Sequence, residues 1–112
     1  MNDRAKKYLV DILYSIDLIE AFSGSITSFF DNQKDLKTKS AVERQLGIIG
    51  EAVNQFSKEE RKIELSQGRK IVDFRNRLIH AYDNLDDAIV WVILHKYIPT
   101  LKDQVQELLA AK

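Results

Sequence analysis

The chain has 112 residues, no cysteine, one proline and a formal net charge of zero. These values exclude a disulfide framework and a thiolate metal site, and they argue against a strongly basic nucleic-acid binder. With 45% apolar and 30% charged residues, the expectation is one globular domain, residues 1–112, around a single core. The longest uninterrupted apolar run, AIVWVIL at 88–94, is only seven residues, whereas a bilayer span needs about 20. No apolar leader follows MNDRAKK, so a cytoplasmic protein without membrane contact is expected.

The apolar pattern is helical nearly throughout. Ala5, Leu9, Ile12, Ile16 and Ile19 recur at steps of four and three and form one helix face, with Asn2 or Asp3 as N-cap. Phe22-Ser23-Gly24-Ser25 breaks this helix, and a short helical turn capped by Ser25 is predicted over Ile26 to Asp31. A second long helix is predicted from Asp35 to Phe56, with Val42, Leu46, Ile49, Val53 and Phe56 as its stripe. It contains Gly47 and Gly50, each of which costs about 0.8–1 kcal/mol relative to alanine. Two glycines kept there imply close approach of another backbone, either the first helix or a second copy of the chain.

Residues 57–67 are polar and read as a connection. A third helix is predicted over Arg69 to His80, with Ile71, Val72, Phe74, Leu78 and Ile79 inward. Asp83 to Asp86 has turn and N-cap chemistry, and a last helix should run from Asp86 to Ala110. Ala88 to Leu94 is apolar on every side, which predicts full burial, and Pro99 predicts a kink. The fold class is therefore all-α, an up-and-down bundle of four main helices plus one short extra helix.

Charge is unevenly placed. Between residues 69 and 80 stand Arg69, Lys70, Arg75 and Arg77 against Asp73 alone, and Asp83, Asp86 and Asp87 follow. Within this patch lies RNRLIHAY, residues 75–82, which holds one of only two histidines. Asn76 and His80 are four apart and share a helix face. Arg75 and His80 are five apart, or about 140° around a regular helix. They could join only through arginine's reach, an unwound helix end or a second chain. Histidine moves protons near neutrality, and arginine offers a planar fork to phosphate oxygens. Together they suit metal-free cleavage of RNA, in which a base activates the ribose 2′-hydroxyl, an acid protonates the leaving oxygen and a cation stabilises the phosphorane. A cation-rich helix end is also common for dipole reasons alone. His95 reads as a packed or rim histidine, Glu43 and Arg44 as solvated pair formers, and Glu51 as undecided. No ligand spacing supports a metal site.

Arg75-Asn76-x-x-x-His80 resembles the signature of the HEPN superfamily, and with Tyr82 the pattern Arg-x4-His-x-Tyr resembles the HepT-like toxins. AVERQLGIIGEAV (41–53) is similar to that family's second-helix motif, and DDAIVWVILHKYIPTLKDQVQEL (86–108) to its last helix, including Trp91 and Pro99. The resemblance implies a HEPN bundle that dimerises and brings two Arg-His motifs into one cleft. It implies a metal-independent endoribonuclease that needs no cofactor, cleaves mRNA or tRNA and serves as the toxin of a toxin–antitoxin pair. The implied antitoxin is an MntA-like minimal nucleotidyltransferase that uses ATP and Mg²⁺ to add AMP to Tyr82. By the same resemblance Arg75 stabilises the phosphate, His80 is the acid or base and Asn76 supports them. Gly47 departs from the family, which usually has a larger, often acidic residue there, and 57–67 lacks the Pro and Trp often found there. The rival reading is a non-catalytic HEPN adaptor that only binds a nucleotidyltransferase.

Overall fold

Asn2 starts the first helix, α1 (Asp3–Ser23). Its Oδ1 accepts from the Ala5 N–H at 2.8 Å, satisfying a donor that the first turn otherwise leaves open. The computed structural model describes residues 1–23, 36–80 and 87–111. Within these, α2 spans Leu36–Glu59, α3 Gly68–His80, α4 Asp87–Val92 and α5 Ile98–Ala110, with a π-turn at Ile93–Tyr97 joining the last two. The short helix predicted at 26–31 and the turn at 83–86 lie outside the described residues.

The predicted stripes form the core. Ala5, Leu9, Ile12 and Ile16 of α1 meet Val42, Leu46, Ile49, Val53 and Phe56 of α2, and all are buried. Each such side chain contributes about 1.5–3 kcal/mol on full burial, alanine less. The end of α2 is fixed to the start of α1: Asn2 Nδ2 donates to Glu59 Oε1 at 2.9 Å, and Arg4 lies 3.6 Å from the same carboxylate. The two helices are therefore antiparallel, and α2 runs three residues beyond its predicted end at Phe56. Helix α5 returns along α1, with Lys102 Nζ 2.8 Å from Glu20 Oε1. That bond raises the Lys102 pKa above its ordinary value.

In the connection, Leu65 is buried and Ile63 packs against the core. Gln104 of α5 holds this segment, accepting from the Ser66 N–H and donating to the Glu64 carbonyl at 2.9 Å. Gln67, with φ of 59°, turns the chain into α3 through a left-handed conformation uncommon for a residue with a Cβ. In α3, Ile71 and Phe74 are buried, while Val72 and Leu78 are half-buried against the core.

The last helix differs from its prediction in two ways. Val90 and Ile93 turn inward, but Trp91 stays 38% exposed, so α4 lies at the edge of the bundle and is not enclosed. Ahead of Pro99 the backbone changes register: the Ile98 N–H donates to the Ile93 carbonyl, five residues back. A proline lacks a donor and collides with the carbonyl four residues earlier. The π-turn displaces that carbonyl, so the break predicted at Pro99 takes the form of one wide turn before it. Among the described residues, no helix is long and apolar enough to cross a membrane.

Candidate active site

Helices α2 and α3 run antiparallel and touch through glycines. A Cβ placed on Gly50 would stand 2.5 Å from Arg75 Cβ and 3.0 Å from the Ile71 carbonyl oxygen. No side chain fits there, so Gly50 is the point where α3 lies directly on the α2 backbone. The close approach expected from the glycines is made by the third helix of the same chain, in place of the first helix or a second copy. Gly47 is less constrained, because its added Cβ would meet only Leu78 Cδ1, at 3.4 Å.

This contact seats Arg75. Its side chain is only 18% exposed, and Nη2 forms an ion pair with Glu51 Oε2 at 2.9 Å. The other carboxylate oxygen, Oε1, accepts from Gln55 Nε2 at 2.8 Å. Gly50 thus sets the distance between the helices, and its neighbour Glu51 supplies the carboxylate that holds the guanidinium. Arg75 Nε is buried and has no hydrogen-bond partner among the described residues. An unsatisfied buried donor on a permanently charged group costs free energy. Glu51, undecided from sequence, belongs to this site, and the glycine just before it is the signal that could have placed it.

Asn76 is exposed on the same helix. His80 is the last residue of α3; its side chain, like the whole of Tyr82, lies outside the described residues. Because α3 is α-helical through His80, residues 75 and 80 are separated by about 140° around the axis and about 7.5 Å along it. The helix does not unwind before His80, which removes one of the three routes to joining them. His95 is exposed and packs against Trp91, with ring centroids 4.6 Å apart and the planes tilted by 38°. Glu43 lies 4.0 Å from Lys39. Among the described residues, no group of three His, Cys, Asp or Glu could hold a metal ion.

Among the described residues the chain is a helical bundle in which the helix carrying Arg75 lies on the α2 backbone at Gly50, consistent with a HEPN-type bundle. The family model described as "Ribonuclease HepT-like" matches residues 12–108, and the chain belongs to that family. Among curated proteins, one named "Probable ribonuclease HepT" from Thermococcus cleftensis is 38% identical over 109 residues, covering 96% of this chain and 98% of its own. "Putative RNase TTE0752" from Caldanaerobacter subterraneus subsp. tengcongensis is 40% identical over 106 residues, covering 93% of each chain. No solved structure matches the sequence.

Proposed function

We propose that the protein is a metal-independent endoribonuclease that acts in the cytoplasm as the toxin of a HepT/MntA-type pair. The observation that carries this reading is Arg75, held in place by Glu51 beside the Gly50 crossing, in a chain of the ribonuclease HepT-like family. A histidine base takes the proton of the ribose 2′-hydroxyl, and the O2′–P bond forms. The guanidinium of Arg75 neutralises the phosphorane. The P–O5′ bond then breaks, and a histidine acid protonates the leaving oxygen. The products are a 2′,3′-cyclic phosphate and a 5′-hydroxyl.

Two protomers complete the site. The separation of residues 75 and 80 on a regular helix leaves the second chain as the simplest source of both an acid and a base. The face of α1 and α2 that ends at Glu51 carries Tyr14, 65% exposed, and Ile48, 39% exposed, beside a recess that Glu51 also lines. A second copy covering this face would bring two Arg75–Glu51 pairs together. Asn76 holds the phosphate or orients His80. Tyr82, two residues beyond His80, accepts AMP from an MntA-like nucleotidyltransferase using ATP and Mg²⁺. The added phosphates compete for Arg75 and exclude RNA.

The test is incubation of purified protein with total RNA in EDTA. Fragments ending in 2′,3′-cyclic phosphate are expected, and none from His80→Ala. Wild-type protein that leaves RNA intact while binding the nucleotidyltransferase would replace this reading with the adaptor.

A further inference from the structure

Arg77 and Lys70 take no part in the arrangement above. They stand seven residues apart on α3, two turns of one face, and they bracket a recess of about 350 Å³ between α3 and the α4–π-turn segment. Its floor is apolar, formed by Phe74, Ile89 and Ile93. Tyr97 closes one side, where the π-turn ends. Lys70 is not loose on the surface: its Nζ lies 4.9 Å from the Tyr97 ring centroid and donates to the Tyr97 hydroxyl at 3.3 Å. Arg77 is exposed and has no ion-pair partner among the described residues. Asp73 sits on the same rim and offers an acceptor to amino groups.

We infer that this recess is a subsite for one nucleotide of a single-stranded RNA, its base on the apolar floor and its flanking phosphates on Lys70 and Arg77. The inference rests on the ribonuclease reading for the source of the strand. The volume is near the lower end of the roughly 300–1,000 Å³ of small-molecule sites, a size suited to one nucleotide. An apolar floor bordered by cations is the usual means of holding an unpaired base and its backbone. Around the helix Arg77 is about 60° from His80 and about 160° from Arg75, so the recess neighbours the histidine end of the motif and lies across α3 from the Arg75–Glu51 pair. A strand cleaved at the end of α3 would run one or two turns back along the helix into it. The surplus of cations over residues 69–80 noted in the sequence then has a use apart from the dipole.

The test measures binding and cleavage separately. A fluorescein-labelled 2′-O-methyl RNA 12-mer, which cannot be cleaved, reports affinity by anisotropy at several salt concentrations. Lys70→Ala and Arg77→Ala should each weaken binding about tenfold and lower the salt slope by about 1. Ala88→Trp, which fills the recess from its rim, should weaken binding about as much with the slope unchanged. Lys7→Ala on α1 controls for general loss of charge. A 4-thiouridine RNA should crosslink to the peptide spanning 88–97 in the intact protein, which needs no substitution to fold. Wild-type affinity in all three recess variants, or crosslinks confined to α1, would overturn the subsite while leaving cleavage by wild type, and so the ribonuclease reading, intact. Protein that binds and crosslinks as expected but never cuts would have the subsite without the nuclease.

Discussion

Glu51 and Arg75 meet across α2 and α3 at 2.9 Å, directly beside the one position where those helices tolerate no side chain. The carboxylate is about half exposed, so its value to stability is small, in the range of about 0–1 kcal/mol for such pairs. Its effect should be on orientation. Glu51→Ala is expected to lower RNA cleavage by about tenfold to a hundredfold with little change in melting temperature. In an Arg75→Ala background the same substitution should change nothing further, because it acts only through the guanidinium. A double-mutant cycle on cleavage rates measures this, and additive losses would refute it.

The two glycines of α2 should respond in opposite directions. Gly50→Ala forces Cβ against the Arg75 Cβ and the Ile71 carbonyl, and overpacking of that kind costs about 1–3 kcal/mol. Gly47→Ala meets only ordinary contact with Leu78 and should gain up to about 1 kcal/mol from helix propensity. Urea denaturation of both variants reads the sign directly.

Gln104 closes the 60–67 connection by pairing with two backbone groups. Gln104→Ala should cost about 1–2 kcal/mol. Amide exchange should speed up at Ser66 before it does in α2 or α3. Equal protection of Ser66 in both proteins would show that the glutamine is not what holds the segment.

Lys102 and Glu20 link α5 to α1, and the bond raises the lysine pKa above 10.5. A group with a raised folded pKa contributes stability that is complete below its unfolded pKa and disappears as pH rises through the folded one. The stability difference between wild type and Lys102→Ala should therefore be constant near neutral pH. The part owed to the charge should be lost above about pH 10.5. The pair is partly exposed, so the whole effect stays under about 1 kcal/mol and shrinks in salt. Denaturation at pH 7 and pH 11 tests the sign.

Much of this fold was legible because apolar residues at steps of three and four must share a helix face. Leu9, Ile12 and Ile16, and Leu46, Ile49 and Val53, were assigned to the core on that ground and are buried. Composition misled at Ala88 to Leu94, where residues apolar on every side suggested an enclosed helix. Trp91 and His95 instead form an exposed, tilted ring pair, since composition cannot say how many neighbours surround a helix. The spacing of Arg75 and His80 was plain, but the partner of Arg75 was not. Glu51 is 24 residues away in sequence, and only the antiparallel crossing at Gly50 brings it close. The recess of Lys70, Arg77 and Tyr97 was hidden for the same reason, since it joins two helices that no local pattern relates.

The inward positions of the final rod are 90, 93, 98, 101 and 105, with one stride of five among strides of three and four. That stride is the wide turn seen as spacing. It separates the rod into two phases, so the upstream segment can present Ile89 and Ile93 to α3 without disturbing how Leu101 and Val105 seat on the core. Deleting one residue between 93 and 97 would restore an unbroken spiral and swing the upstream segment by about 100°. The chain could then remain folded and yet lose the wall that its third helix faces.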